Sequence, residues 1–392
     1  MSSSTTTPLG PGSARAAWAL LGPGAAALAA SMGVGRFVYT PILPLMTARA
    51  GLSAASGASL ATANYLGYFA GALLGMFAPA LTRSANAYRG SLVVLTGSLA
   101  LMPGTDSVPA WFGLRLLAGV ASGVVFVFAV NSTLSHLRDR PPHLTGWVFG
   151  GVGLGIALSG AGVLVIRSAG DWRTAWWATA ALCGVFAIAA WRLRPEPAPG
   201  PDPAAPARAP RTHRWFFTLL GSYTLEGVGY IIAGTFLVAA ISQRSPGGLG
   251  GAAWILVGLA AAPSTVLWSR LSRRWSRPGL LTTALLVQAA GIALPALLGG
   301  TAAALAGAAL FGATFMGVGT LALTTDAHLR FPRSVALLTA GYSLGQVLGP
   351  LVSGPLLRHG YQQALVLGAL IVLAAAAAAG LLRIGFPRPP AR

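Results

Sequence analysis

The sequence predicts an all-α membrane protein whose twelve transmembrane helices form two pseudo-symmetric six-helix bundles. Three observations lead there. Of the 392 residues, 55% are hydrophobic and only 8% charged, against about 25% charged in a soluble domain. Apolar stretches of spanning length recur throughout, and at about 20 residues per span the chain accommodates roughly a dozen. The second half also repeats the first, with Gly151 answered by Gly345, 194 positions on.

The elements follow in order. After a Ser/Thr/Gly/Pro tail (1–15), spans are expected at 16–46, 57–81, 91–102, 110–134, 144–166 and 174–193. The run behind Arg15 imitates a signal peptide, but it continues to Met46, too long for such a segment, so it reads as a retained first span. Residues 194–213, rich in Pro, Ala and Arg, have no apolar face and read as a semi-extended linker. Six more spans are expected at 215–241, 252–271, 280–298, 303–325, 335–357 and 364–382. The bundles are therefore 16–193 and 214–384, with a short tail at 385–392.

Arginine asymmetry sets the orientation. With the N-terminus inside, Arg83, Arg89, Arg138, Arg140, the linker, Arg270, Arg273, Arg274, Arg277, Arg330, Arg333, Arg383, Arg388 and Arg392 are cytoplasmic. Only Arg49, Arg167, Arg173, Arg244 and Arg358 remain outside. This predicts a multi-pass protein of the cytoplasmic (inner) membrane, both termini and the linker cytoplasmic.

The repeat extends beyond one pair. Gly155 falls on Gly349, Ser159 on Ser353 and Gly160 on Gly354, while Gly123-Val124 falls on Gly317-Val318. Gly33-Val34-Gly35-Arg36 falls on Gly227-Val228-Gly229-Tyr230. One offset thus relates three helix pairs. Six spans return the chain to its starting side, so the halves are parallel repeats, an arrangement that places substrate between them near the midplane.

Arg36 is the residue around which function is expected. An arginine near a helix centre costs roughly 2.5–3.5 kcal/mol on insertion scales. The glycines before it and Pro41 and Pro44 after it loosen the helix, which lipid tolerates only where neighbours or a water-filled cavity satisfy the freed backbone. Glu226, the acidic residue placed deep in a span, immediately precedes the repeated frame. The sequence therefore places Arg36 opposite Glu226 and Tyr230, with Arg36 taking an anionic group or pairing with the carboxylate.

The chain resembles the major facilitator superfamily over nearly its whole length. Beyond the span count, repeat and linker, the resemblance rests on Arg115-x-x-x-Gly119-x-x-x-Gly123, which is similar to the family's fourth-helix arginine motif. The opening stretch, with Tyr230-Ile231-Ile232 and Thr235-Phe236-Leu237, resembles the YbfB/YjiJ-type branch. The resemblance implies proton-linked secondary transport, with Arg115 assisting proton movement. One loop departs from the pattern: Gly75 to Arg83 contains no aspartate where the superfamily has an acidic gating motif.

The expected function is a secondary active transporter that moves a small molecule by alternating access, proton-coupled, with export favoured over import. A non-transporting sensor or scaffold is the alternative. Substrate binding is assigned to Arg36, Tyr39, Asn64, Tyr68, Tyr230, Trp254, Tyr342 and Gln346, since such cavities set a few hydrogen-bonding groups amid aromatic surface. Proton coupling is assigned to Glu226 and Arg115. Gating and helix packing fall to Gly119, Gly123, Gly151, Gly155, Gly345 and Gly349. Tyr65 and Gln288 are further candidates for lining the path, and Asp326 reads as a loop-gating charge.

Several classes are set aside. The net charge of +19 would suggest nucleic acid in a soluble chain, but here it lies in loops between apolar spans. Every basic residue among the 26 is arginine, which rules out a Schiff-base lysine. Gly150 to Gly155 imitates a dinucleotide loop but lies inside an apolar span with no preceding strand. Cys183 cannot form an intramolecular disulfide, and His136, His143, His213, His328 and His359 lack metal-ligand spacing. No enzyme, metal or cofactor is expected. The partners are a small molecule, protons and the bilayer, and the expected state is a monomer.

Overall fold

The computed structural model describes residues 21–137, 142–196, 212–245, 247–272, 274–329, 331 and 333–387. The N-terminal tail, residues 16–20, Arg138-Asp139-Arg140, most of the linker, Arg273, Arg330 and the last residues of the C-terminal tail lie outside these.

The described chain is helical throughout. In order, α1 is Leu21–Arg49, α2 Ala54–Phe77, α3 Ala85–Leu101, α4 Val108–His136, α5 Pro142–Ala169 and α6 Trp172–Ala190. Then follow α7 His213–Arg244, α8 Leu249–Leu271, α9 Arg277–Leu297, α10 Gly300–Leu329, α11 Ser334–Ser353 and α12 Tyr361–Leu381. Among the described residues, ten of these are long and apolar enough to cross a membrane, where twelve were expected. α3, with only 17 residues, falls short of that measure. Helix starts are set by short polar side chains: Ser53, Ser84 and Asp171 accept the backbone N–H groups of Ser56, Ala87 and Thr174.

The burial pattern is that of a bundle in lipid. The most apolar windows of α1 and α7 are 100% and 89% buried, so these two helices form the centre. Val93, Leu101, Val165, Ile188 and Leu297 point outward from the perimeter helices, as hydrocarbon permits.

The repeat offset is visible in the packing. A Cβ on Gly33 would stand 2.6 Å from the Gly155 Cα, and one on Gly151 would stand 2.1 Å from the Ala25 carbonyl oxygen. In the second half, a Cβ on Gly227 would meet the Tyr342 carbonyl at 2.6 Å and one on Gly345 the Thr224 carbonyl at 2.4 Å. The first and fifth helices of each half thus cross at the positions the repeat pairs, close enough that only glycine fits. Gly119 and Gly123 do the same where α4 crosses α2, against Asn64 and Tyr68. The dinucleotide look-alike is a packing face divided between two helices. Gly151 and Gly155 face α1, while Gly150 and Gly153 face Ala262 and Gly258 of α8.

The two central helices differ. α7 is one continuous helix of 32 residues. α1 changes to π-helix at Ala29–Val34, turns, and restarts at Tyr39. Pro41 and Pro44 have no N–H to return to Phe37 and Thr40, so the ladder is also interrupted just after the glycine frame.

Candidate functional site

The break in α1 exposes two backbone carbonyls in an apolar interior, and an arginine from another helix satisfies them. Arg115 of α4, only 1% exposed, donates through Nη1 to the Gly35 carbonyl and through Nη2 to the Arg36 carbonyl, each at 3.2 Å. Its guanidinium lies 5.1 Å from the ring centre of Tyr39. Arg115 is thus a buried brace for the break in α1.

The brace holds Arg36 in an aromatic box at the boundary between the halves. Its guanidinium carbon lies 4.2 Å from the Tyr68 ring centre and 4.8 Å from that of Tyr65, within the range of cation–π attraction. Nη2 donates across the boundary to Gln346 Oε1 of α11, and Gln346 Nε2 in turn donates to the Tyr230 hydroxyl of α7 at 2.8 Å. Nε is buried without a partner. Two further bonds cross beside it. Thr40 donates to the Gly234 carbonyl, and Tyr65 meets Thr235 at 2.8 Å. Because the Thr235 hydroxyl already donates to the Ile231 carbonyl, Tyr65 is the donor.

Four expected residues, Arg36, Tyr68, Tyr230 and Gln346, therefore meet in one node. Tyr342 joins it by stacking on Tyr230 at 5.5 Å and on Tyr223 at 4.4 Å. Tyr39 donates to the Gly57 carbonyl at 2.9 Å and stacks on Trp176. Asn64 donates to the Arg115 carbonyl and so ties α2 to α4. Trp254 packs on Gly160 along the α5–α8 crossing, not on Arg36.

Glu226 departs from the expected arrangement. Among the described residues the ion pairs are Arg83–Glu196 and Arg173–Asp106. Neither oxygen of Glu226, 1% exposed, has a hydrogen-bond partner. The reason is axial. Arg36 reaches the boundary at the level of Tyr230, and Glu226 lies one turn away along α7, about 6 Å on. Its neighbours are Gln288 of α9, Tyr223 and Tyr342, and the Gln288 amide is likewise unpartnered. Asp326 also departs from expectation: it lies within α10, buried, and accepts from Ser334 at 2.6 Å.

Sequence reasoning gave no part to Phe315, Trp176 or Tyr223. Phe315 packs edge-on against both Phe37 and Tyr230. Tyr223 could have been found, since it sits three and seven residues before Glu226 and Tyr230, on the same helical face. Among the described residues no three His, Cys, Asp or Glu side chains gather to hold a metal.

Comparison with known proteins settles the family. The profile described as "Uncharacterised MFS-type transporter YbfB" matches residues 28–380, nine-tenths of the chain. The chain belongs to this YbfB family of MFS-type transporters. It is a multi-pass membrane transporter, not an enzyme. Among curated relatives, the putative uncharacterized transporter YgaY of Escherichia coli K12 and its counterpart in strain O157:H7 are each 25% identical over 156 residues. That stretch covers 40% of this chain and 40% of the relatives' length. A crystal structure of a mutant of the nucleoside transporter NupG superposes with a TM-score of 0.68 over 92% of this chain and 98% of that one, at 15% identity. That likeness shows a shared fold.

Within the YbfB-type fold the α2–α3 loop keeps its charge contact inside the first half. Arg83 meets Glu196, just after α6, at 3.7 Å with both side chains part-exposed. Such a surface pair is worth at most about 1 kcal/mol.

Proposed function

We propose that this transporter carries a small organic anion across the cytoplasmic membrane by alternating access, coupled to protons and favouring export. The observation that carries the reading is the Arg36 node. A fully buried guanidinium there has tyrosine faces, a neutral amide and an unpartnered Nε, but no carboxylate. A buried cation is costly unless it is paired, and a transported anion supplies the missing charge. Gln346 occupies the anion's place in its absence. An arriving carboxylate takes Arg36 from Gln346 and loosens one of the bonds that tie the halves together.

Glu226 supplies the coupling. Its carboxyl has a tyrosine- and amide-lined surrounding and no fixed cation, so it can gain and lose a proton as the halves move. Tyr342, placed beside both Glu226 and Tyr230, links the two groups. Arg115 serves proton movement only indirectly, by fixing the α1 hinge. The arginine-rich end that carries the linker faces the cytoplasm, with both termini, and the working unit is a monomer.

The test is a panel of small carboxylates, phosphoesters and neutral metabolites, screened by thermal shift on purified protein and followed by flux in proteoliposomes. Stabilising compounds are expected to be anionic and to lose their effect on Arg36→Ala. Glu226→Gln is expected to bind the same compounds without acceleration by an imposed pH gradient. Stabilisation by neutral compounds alone, or unchanged in Arg36→Ala, would remove Arg36 from the binding site. Flux through Glu226→Gln that stays gradient-driven would end its coupling role.

A further inference from the structure

At the linker end of the second half lies a pocket of about 430 Å³ between the α8–α9 turn, the end of α10 and the segment that follows α12. Trp275, Arg277, His328, Arg383, Phe386 and Pro387 line it, with no acidic residue among the described residues of its wall. The segment after α12 is fastened in place. Trp215 Nε1 donates to the Ile384 carbonyl at 3.3 Å, and His328 Nε2 donates to the Pro387 carbonyl at 2.8 Å. The His328 ring stacks on Phe386 at 5.4 Å. These ties bring Arg383 to the same hollow as Arg277, whose Nη1 is itself oriented by the Thr324 carbonyl at 3.2 Å. Neither arginine belongs to an ion pair among the described residues.

The pocket sits where helices leave the hydrocarbon: α8 ends at Leu271, α9 begins at Arg277 and α12 ends at Leu381. Trp275 is 66% exposed there, and Leu381 and Ile384 are exposed beside Arg383. An open indole at this level marks the membrane interface. Two guanidinium groups in one hollow, neither in an ion pair among the described residues, fit the oxygens of a phosphate, while the apolar flank fits the start of acyl chains. We propose that this pocket binds the phosphate headgroup of an anionic phospholipid, independently of what the transporter carries.

The experiment measures lipid retention by native mass spectrometry of the full chain, titrated with dioleoylphosphatidylglycerol, dioleoylphosphatidylcholine or inorganic phosphate. Phosphatidylglycerol is expected to bind the wild type in preference to phosphatidylcholine. Arg277→Ala and Arg383→Ala are each expected to weaken it about fivefold, and the double variant roughly thirtyfold, from the attraction of one arginine for an anionic headgroup. Arg83→Ala/Arg89→Ala, which removes the same charge from the first half at the same end, is expected to leave binding unchanged. Equal retention in the two double variants, or no preference over phosphatidylcholine, overturns the proposal in favour of general surface charge. Displacement of the lipid by millimolar inorganic phosphate overturns it in favour of a soluble phosphoester. Both arginines are exposed, so the variants fold.

Discussion

The same glycine frame, Gly33-Val34-Gly35 in α1 and Gly227-Val228-Gly229 in α7, gives a broken helix in one half and an unbroken one in the other. Glycine alone therefore does not break a membrane helix. In both halves it serves the same close crossing, with α5 and with α11 respectively. What separates them is the neighbourhood. α1 adds Pro41 and Pro44, which remove two backbone donors, and α4 supplies Arg115 to satisfy carbonyls at the break. α7 carries Thr235 and Val238 at the matching positions, and its ladder stays closed. The charges divide in the same way. In the first half the buried cation has a brace, an aromatic box and an amide; in the second, among the described residues, the buried carboxylate has no cation and only the Gln288 amide and tyrosines beside it. One half is built to hold its charge still and the other to let its charge change.

The contrast can be broken most severely at its brace. Arg115→Ala leaves the Gly35 and Arg36 carbonyls without donors, and at about 1–3 kcal/mol for each orphaned buried group the expected loss is about 2–6 kcal/mol. Thermal unfolding in detergent measures it, and Arg115→Lys is expected to recover only part. Next come the paired glycines. Gly33→Ala and Gly227→Ala each push a Cβ against backbone at 2.6 Å, and overpacking of this kind costs about 1–3 kcal/mol. Melting shifts that differ widely between the two would show that the crossings are not equivalent. A smaller effect is expected from Tyr230→Phe, which removes the acceptor of Gln346 at the boundary. It should cost about 1 kcal/mol, seen as a shift in the concentration dependence of flux with little change in melting temperature.

The smallest effect lies outside the contrast and calibrates it. Asp171, at the N-cap of α6, is held below the usual carboxylate range mainly by the Thr174 backbone N–H. Because its folded value is lowered, its contribution is complete above the unfolded value of about 3.9 and fades as pH falls through the folded one. Asp171→Ala is expected to cost at most about 1 kcal/mol at pH 7, with the difference from wild type closing below about pH 4.

Much of the fold was legible because two periodicities reinforce each other. Spans could be read from apolar length and their pairing from the constant offset, so Gly151 and Gly345 read as packing residues from the sequence alone. Ends were less legible. α3 begins at Ala85, well before the expected 91, because Ser84 caps it and Tyr88 is buried. α10 runs on to Leu329, beyond the expected 325, carrying Asp326 inside with it. At the site, Arg36, Tyr68, Tyr230 and Gln346 could be picked out as polar or aromatic groups in apolar helices. Their partners could not be predicted. A repeat fixes which helices face each other, yet a displacement of one turn decides whether Arg36 meets Glu226 or Gln346. Trp254 shows the same limit in rotation: its helix was right, but its face meets α5.

The complete enclosure of α1 has a consequence for how the protein is made. This helix leaves the ribosome before α2 and α4, carries Arg36, and in the finished fold has its most apolar window wholly buried. Tyr65, Tyr68 and Arg115, which make that charge tolerable, lie on α2 and α4 and are synthesised later. Biogenesis must therefore keep the first helix near the insertion machinery until the fourth has arrived. Substitutions at Arg115 should then lower the yield of correctly inserted chains even where the rare survivor still folds.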